Sequence, residues 1–255
     1  MTPRLKLALS NTLTRAGYKI SRIKSPRDSY REMEPEFFEV FEKYAPFAGS
    51  GAERAYALYK SVHYVVKHQI AGDIVEAGVW LGGSMVLASL TLLQAGDPTR
   101  EIYLYDTFEG MPEPSAKDVD LWDNPASGRA ENQNRTNGHS DWNYGSLDIV
   151  RGNVFSTGYP PDRFHFVKGK VEDTIPATLP NSIAILRLDT DFYESTYHEL
   201  KHLYPLLVPG GVLIIDDYGH WRGAREATDT YLKETNAPLL LNRIDYTMRL
   251  AIKPL

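Results

Sequence analysis

An alternation of strand-like and helix-like segments begins near residue 73 and most strongly limits the folds open to this chain. Residues DIVEAGVW (73–80) form an apolar run that leads into a glycine-rich turn, and SMVLASLTLLQAG (84–96) has a helical pattern that ends at a glycine. A second strand-like run, EIYLYDT (101–107), follows. Because strand, helix and strand in this order usually join parallel neighbours, the pattern predicts an α/β fold on a parallel sheet.

Three further strand-like runs and a closing hairpin continue the pattern. The runs are FHFVKG (164–169), SIAILRLD (182–189) and GVLIIDD (211–217), with helical patterns at 193–207 and 222–233. Two short runs at the end, LLLNRID (239–245) and TMRLAIK (247–253), predict a β-hairpin. With 255 residues, the chain can form one such α/β domain with an appendage.

Between Met111 and Tyr159 the alternation stops, and a polar run rich in Asn, Gly, Ser and Asp takes its place. Loops of this length are uncommon inside a compact domain and often serve as lids or binding loops. Disorder is the alternative, but disordered segments are poor in aromatic residues such as Trp122 and Trp142. We therefore expect a lid insert over about residues 111–159.

The first 27 residues carry seven Lys or Arg side chains and no acid. Leucines and isoleucines recur there at steps of three or four, which predicts a basic amphipathic helix. Such a helix suits peripheral membrane contact, packing on a partner subunit, an organelle transit peptide, or a docked terminal helix. We assign residues 1–50 to this helical appendage, with a role in the lid or in oligomerisation, and expect a homo-oligomer.

The composition narrows the chemistry and the partners. No cysteine is present, which excludes disulfides, thiolate metal sites and cysteine nucleophiles and favours a cytoplasmic location. The formal net charge of −5 argues against a nucleic-acid partner, because neutralising phosphates requires clustered Lys and Arg. The longest apolar runs fall short of the roughly 20 residues that a membrane-spanning helix needs.

The turn after the first strand, EAGVWLGGS, contains three glycines that let a ligand approach the backbone. Ligands of open α/β sheets bind beyond the carboxyl ends of the strands. The glycine spacing is not the dinucleotide fingerprint G-x-G-x-x-G, and the turn has no basic residue. Glu76 lies in this strand, and Asp106 at the end of the next is suited to accept ribose hydroxyls. A nucleoside with cationic groups, such as S-adenosylmethionine, therefore fits better than a pyrophosphate.

Four aspartates follow two later strands. Asp189 and Asp191 end one apolar run, and Asp216 and Asp217 end the next. If these strands are neighbours, about 5 Å apart, the carboxylates converge and repel one another unless a cation neutralises them. Oxygen ligands suit Mg²⁺, with Ca²⁺ and Mn²⁺ as competitors. The alternative is that one of the last pair caps the following helix while the first pair is merely solvated.

Asp191 has a separate expected role. As the second residue after Asp189, it shares a face with that residue, but strand spacing places it too far along to ligate the same ion. A carboxylate that faces the site without holding the metal is a candidate general base for an alcohol hydroxyl.

These motifs resemble the bacterial macrocin O-methyltransferase family, S-adenosylmethionine- and metal-dependent enzymes that methylate sugar hydroxyls in antibiotics. The resemblance covers about residues 53–253 and is carried by ERAYALY, DIVEAGVWLGGS, YDTFEGMPEP, GKVEDTIP, LRLDTDFYEST and IIDDYGHWRGAREA. It implies a Rossmann-like class I methyltransferase fold over residues 51–255, with a mostly parallel seven-stranded sheet and a terminal antiparallel hairpin. The insert and the N-terminal helix have no counterpart in the family pattern, and they are the parts expected to select the acceptor.

The resemblance also implies roles for individual residues. The Mg²⁺ ligands would be Asp189, Asp216 and Asp217, and the base would be Asp191. The cofactor contacts would be Glu76, Gly78, Ser84, Asp106, Val171 and Glu172. His139 and His220 compete with Asp191 as the base.

The implied activity is Mg²⁺-dependent methyl transfer from S-adenosylmethionine to a sugar hydroxyl of a glycosylated natural product. A phenolic or catechol hydroxyl would suit the same machinery. A rival class is a D-x-D glycosyltransferase, because the motif DTD also matches a metal site that holds a nucleotide-sugar diphosphate. A non-catalytic protein that kept the fold is disfavoured by four intact acids.

Overall fold

The computed structural model describes residues 26–131, 135–136 and 139–254. The basic helix expected at the N-terminus lies outside these residues, apart from its last two positions, and the side chain of His139 is also outside the description. The chain divides into two compact units, one that ends at Phe38 and one that begins at Glu39. None of the helices in the described ranges combines the length and the apolar character needed to span a bilayer.

The described part of the first unit contains helix α1 (Pro26–Ser29) and the beginning of helix α2 (Pro35–Tyr44), which continues into the second unit. Pro35 is the first residue of α2, where its fixed φ and missing N–H are tolerated. The Arg27 guanidinium lies 5.4 Å from the centre of the Phe38 ring.

The second unit alternates strands and helices much as the sequence pattern predicts. Its further helices are α3 (Ala52–Lys67), α4 (Gly83–Gln94), α5 (Ala126–Glu131), α6 (Leu147–Phe155), α7 (Val171–Thr174), α8 (Tyr193–Leu203) and α9 (Arg222–Thr235). Its strands are β1 (Asp73–Ala77), β2 (Ile102–Asp106), β3 (Arg135–Thr136), β4 (His139–Ser140), β5 (Phe164–Lys168), β6 (Ile183–Leu188), β7 (Leu207–Ile215), β8 (Asn242–Arg243) and β9 (Arg249–Ile252). Short 3₁₀ turns occupy Ala45–Phe47, Pro161–Arg163 and Tyr204–Leu206.

Seven strands form one sheet in the order β5-β2-β1-β6-β7-β9-β8. The first five are parallel, and β9 runs antiparallel to both β7 and β8. This arrangement confirms the predicted Rossmann-like class I fold with its terminal antiparallel hairpin. The strand order reverses between β1 and β6, which is the position where open α/β sheets bind their ligands.

The register of the central strands decides which residues meet at this edge. Ala77 pairs with Leu188, and Leu188 pairs with Ile215. The next residues along the three strands are therefore Gly78, Asp189 and Asp216, side by side at the carboxyl ends. The two acidic strand ends are neighbours, as the sequence analysis expected.

The core lies between this sheet and its helices. Every residue of β6 is buried, because both faces of a central parallel strand are covered. Apolar residues of β1, β6 and β7 pack with Leu200 of α8 and Tyr231 of α9. Arg187 interrupts the apolar sequence of β6, and its side chain is only 4% exposed. A buried charge of this kind requires partners.

The described part of the insert carries secondary structure and an aromatic cluster. Helices α5 and α6 and the two-stranded β3–β4 pair belong to it. Trp142 packs against Phe192 and Trp221, with ring centres 5.7 Å and 6.1 Å away. A backbone bridge joins Asp120 to Trp221, so the insert is attached to the turn between β7 and α9.

Candidate active site

A cavity of about 420 Å³ lies at the carboxyl ends of the central strands. This volume is within the range of about 300–1,000 Å³ that is usual for small-molecule sites. The predicted site residues that line it are Gly78, Ser84, Asp106, Val171, Glu172, Asp189, Asp191, Asp216 and Asp217. Glu76 is the exception, because it is 1% exposed and reaches the site through its ion pair with Arg187 of the cavity wall.

Asp106, the last residue of β2, holds the glycine turn in place. Its Oδ2 accepts hydrogen bonds from the backbone N–H groups of Val79 at 2.6 Å and Trp80 at 3.1 Å. Its Oδ1 accepts one from the N–H of Phe108 at 2.7 Å. Burial raises the pKa of Asp106, and these three donors act against the increase. The turn therefore uses much of the accepting capacity of this carboxylate, and only the remainder can serve a ribose hydroxyl.

Gly78 lets the ends of β1 and β6 come close together. It has a φ of +81°, and a Cβ at this position would lie 2.1 Å from the backbone oxygen of Asp189. A side chain at residue 78 would therefore force apart the glycine turn and the acidic strand end. The sequence analysis expected the glycines of this turn to let a ligand approach the backbone. In the structure, Gly78 also lets the backbone of Asp189 approach closely.

Arg187 is a buried cation shared by three carboxylates. Its Nη1 donates to Glu76 Oε1 and to Asp189 Oδ2, both at 2.5 Å, and its Nη2 donates to Asp216 Oδ1 at 2.7 Å. Burial raises the pKa of Glu76 to about 7, although Arg187 and Ser84 act to lower it. Glu76 Oε2 has no hydrogen-bond partner among the described residues, so one buried acceptor remains available on β1, close to the glycine turn.

Asp216 is bound by a second arginine. Its Oδ2 accepts a hydrogen bond from Arg54 Nη1 at 2.6 Å, and Arg54 Nε lies 3.3 Å from Asp245 Oδ2 in the C-terminal hairpin. Both oxygens of Asp216 therefore contact guanidinium groups. Two arginines that sequence reasoning missed thus organise the acidic strand ends, and the only signal for Arg187 was its position inside an apolar strand.

Asp189, which also contacts Arg187, belongs to a group of three carboxylates that could hold a cation. Asp189, Asp191 and Asp217 each offer one oxygen, and these oxygens all lie within 4.8 Å of one another. Asp189 and Asp217 are members of the predicted ligand set, whereas Asp216 of that set faces the arginines. Asp191 lies closer to Asp189 and Asp217 than strand spacing predicts. The reason is that the chain leaves β6 at Leu188 and turns back at Asp191, which has a φ of +68°.

Burial strengthens the affinity of this group for positive charge. It raises the pKa of Asp191 to about 7, with the charges of Asp189 and Asp216 adding to the increase. It also raises the pKa of Asp217 well above its usual range. Asp217 Oδ2 is buried and has no hydrogen-bond partner within the described ranges. A proton or a cation is required to balance this charge.

The turn that carries Asp191 rests on a buried acid of α8. Thr190 Oγ1 donates to Glu199 Oε1 at 2.9 Å, and Glu199 is fully buried. Burial raises the pKa of Glu199 well above its usual range, against the lowering effect of Thr190. A buried carboxyl group with a raised pKa thus supports the turn, a feature that the sequence pattern did not indicate.

His220, an alternative base in the sequence analysis, also lines the cavity. Burial lowers its pKa, and its Nδ1 is buried without a partner among the described side chains. The other alternative, His139, lies outside the described side chains.

Comparison with known proteins gives consistent matches. The family described as macrocin O-methyltransferase (TylF) matches residues 44–250. The chain is 37% identical over 168 residues to the 8-demethyl-8-(2,3-dimethoxy-alpha-L-rhamnosyl)-tetracenomycin-C 4'-O-methyltransferase of Streptomyces olivaceus, covering 66% of this chain and 61% of that protein. It is 33% identical over 168 residues to the mycinamicin III 3''-O-methyltransferase of Micromonospora griseorubida, covering 66% of this chain and 63% of that protein.

Among solved structures, that of the O-methyltransferase NovP superimposes with a TM-score of 0.69 at 28% identity. The superposition covers 80% of this chain and 81% of the NovP chain. The matches to the two curated relatives span less than two thirds of the length of those proteins.

Proposed function

The chain belongs to the macrocin O-methyltransferase family, and from this membership we propose that it transfers a methyl group from S-adenosylmethionine to a sugar hydroxyl of a small glycoside. The observation that carries the proposal is one cavity in which a glycine-rich strand end meets three clustered aspartates. The names of the two relatives support the acceptor class, because one specifies the 4' position of a rhamnosyl tetracenomycin and the other the 3'' position of mycinamicin III.

S-adenosylmethionine supplies a methyl group on a sulfonium, which an oxygen nucleophile can attack. The glycine turn at Gly78 and Ser84 lets the backbone approach this cofactor, and the remaining accepting capacity of Asp106 suits its ribose. Val171 and Glu172, at the start of α7, line the end of the cavity assigned to the adenine. The unpartnered oxygen of Glu76 adds an acceptor for a cationic or hydroxyl group of the cofactor.

The aspartate group fits a hard divalent cation such as Mg²⁺, because its donors are all carboxylate oxygens and one of them is buried without a partner. Such an ion would lower the pKa of an acceptor hydroxyl and orient it. Asp189 and Asp217 would hold the ion. Asp216 would join them only if it exchanged one of its arginine contacts for the metal.

Asp191 would accept the proton of the acceptor hydroxyl. It lies in the same group as the proposed ligands. The turn that carries Asp191 is held by the hydrogen bond from Thr190 to Glu199 of α8. A base with a pKa of about 7 is suited to proton transfer near neutral pH. Positioning of the hydroxyl in line with the methyl group would add to the rate enhancement.

The test is transfer of a labelled methyl group from S-adenosylmethionine to a panel of glycosides, with Mg²⁺ or with EDTA. We expect S-adenosylhomocysteine to bind without metal and the label to reach a glycoside only with Mg²⁺. Metal-dependent binding of a nucleoside diphosphate, without binding of S-adenosylhomocysteine, would establish the glycosyltransferase alternative instead. Labelling of catechols but not of glycosides would refute the acceptor class.

Three matched variants separate the roles of the acids. Asp191→Asn should lose turnover and keep its affinity for Mg²⁺ and S-adenosylhomocysteine, whereas Asp217→Asn should lose Mg²⁺ affinity. Asp216→Asn should keep most Mg²⁺ affinity if the arginines retain residue 216, and it should lose that affinity if Asp216 is a ligand. Equal loss of Mg²⁺ binding in the variants of Asp191 and Asp217 would assign Asp191 to the metal and not to the proton.

The proposal extends to the context in which the chain works. A cytoplasmic location accords with the absence of cysteine, and a homo-oligomer with residues 1–50 as its appendage accords with the basic helix predicted there. The insert at 111–159 is assigned as the lid. Light scattering of the full chain and of a chain lacking residues 1–25 measures the oligomeric state directly.

A further inference from the structure

Two exposed aromatic rings flank His220 at the edge of the cavity. The Trp122 ring centre lies 5.7 Å from that of His220, and the Tyr246 ring centre lies 6.1 Å from it on the C-terminal hairpin. Both contacts are edge-to-face, at interplanar angles of 77° and 81°. Trp122 is 63% exposed and Tyr246 is 51% exposed. We call the rings of Trp122, His220 and Tyr246 the mouth platform.

Backbone contacts from two other segments fix the turn that carries His220. On the hairpin side, the N–H of Gly219 donates to the carbonyl of Thr247 at 2.8 Å. A Cβ on Gly219 would lie 1.8 Å from the backbone oxygen of Tyr246, so the two segments are in close contact. On the insert side, Asp120 forms a bridge with Trp221. The platform is thus assembled from three separate segments whose positions depend on one another.

The platform continues the cavity outward. His220 lines the cavity, whereas Trp122 and Tyr246 contact His220 without lining it. The cavity volume of about 420 Å³ is near the low end for ligand sites, and under the proposed function this space holds both a nucleoside that bears an amino-acid chain and the reacting sugar. A glycoside therefore places only its reacting sugar inside, and the remainder of the molecule lies over the mouth.

We infer that the mouth platform binds the aglycone of the acceptor, as an apolar ring system attached to the sugar that is methylated. This inference rests on the proposed function and adds a subsite that binds the part of the acceptor beyond the reacting sugar. Exposed aromatic faces stack on flat apolar rings, and Trp122 is 63% exposed despite its edge-to-face contact with His220, so most of the indole is open to such a ring. Continuity with the cavity through His220 favours the acceptor over a protein partner as the occupant.

The test compares aryl and methyl glycosides of the same sugar. Calorimetry on the protein saturated with S-adenosylhomocysteine measures the affinities for para-nitrophenyl and methyl glycosides of several sugars, beginning with rhamnose. We expect the aryl glycoside to bind roughly two- to twelvefold more tightly, the range typical of one aromatic stacking contact. Trp122→Ala and Tyr246→Ala should each narrow this gap and leave the affinity for S-adenosylhomocysteine unchanged.

Ile149→Ala is the matched control, because Ile149 is also an exposed apolar residue, 48% exposed, on α6 outside the platform. In this control variant, the difference in affinity between aryl and methyl glycosides should equal that of the parent protein. Equal binding of both glycosides by the parent across the panel would overturn the inference, and so would an unchanged gap in both platform variants. Failure of the proposed function is distinguishable, because S-adenosylhomocysteine would then not bind or no methyl group would be transferred.

Discussion

Arg187→Met tests whether the acidic strand ends depend on their buried arginine. Methionine keeps an unbranched apolar side chain in β6 but removes the guanidinium that contacts Glu76, Asp189 and Asp216. Asp216 retains Arg54 at 2.6 Å, whereas Glu76 and Asp189 lose the cation that the structure places beside them. The variant therefore removes this counter-ion from the buried Glu76 carboxylate and from Asp189, whose side chain is 28% exposed.

Removing one partner of a buried ion pair costs about 3–5 kcal/mol of unfolding free energy. We expect a loss in this range at about pH 8 and not a multiple of it, because Asp216 keeps one arginine and Glu76 can take up a proton. The pKa of Glu76 is already raised to about 7 in the folded protein, so the folded state binds more protons than the unfolded state and loses stability as pH rises. Without Arg187 this pKa rises further, so the loss should be smaller at about pH 6 than at about pH 8.

The assay is urea unfolding followed by circular dichroism at both pH values, in EDTA so that no metal replaces the arginine. The matched control is Arg163→Met, since Arg163 pairs with Glu101 on the surface, and that variant should change stability little. Glu76→Gln in the Arg187→Met background should recover part of the loss. A loss at about pH 8 no larger than that of the control, or one independent of pH, would refute the reasoning.

Two further substitutions probe the backbone and the buried acid of α8. Gly78→Ala should lower both stability and affinity for S-adenosylhomocysteine far more than Gly96→Ala, because both glycines have positive φ but only Gly78 would place a Cβ against Asp189, whereas Gly96 faces open space. Thermal unfolding and calorimetry measure the two effects, and equal effects of both substitutions would contradict the close-approach argument. Glu199→Gln should gain stability relative to the parent as pH rises above about 4.5, because the raised pKa of Glu199 makes the folded parent bind more protons than its unfolded state. Parallel pH dependence of urea unfolding in the two proteins would show that folding does not raise the pKa of Glu199.

The order of the sheet strands was predictable from the sequence, because each parallel strand is a short apolar run, and helix α4 is followed by a glycine stop signal at Gly96. Helices α5 and α6 of the insert were not predicted. Element ends were less predictable. Strand β1 ends at Ala77 rather than at residue 80, since Gly78 has positive φ. In the hairpin, β8 has only two residues, and the Asp245 carboxylate accepts from the N–H groups of Thr247 and Met248, which draws the neighbouring residues into a loop.

The acidic site was predictable in part. Adjacent strand ends place Asp189 beside the residues that follow β7, and this follows from the alternation alone. The position of Asp191 and the arginine partners of Asp216 did not follow from it. Asp191 leaves the strand geometry through a left-handed turn, and Asp216 pairs with Arg54, a contact between residues 162 positions apart in the chain. Periodicity describes neighbours along a strand or helix and carries no information about such long-range pairs.

The attachment of the insert to the turn between β7 and α9 has a consequence for protein engineering. The N–H of Arg222 donates to the Val119 carbonyl at 2.8 Å, and the same turn begins at Asp217 of the aspartate group. A chimera that exchanges only the insert would therefore shift Asp217, a proposed metal ligand, along with the proposed acceptor-binding surface. To move the acceptor specificity of this chain into a relative, residues 217–222 should therefore be transferred together with the insert.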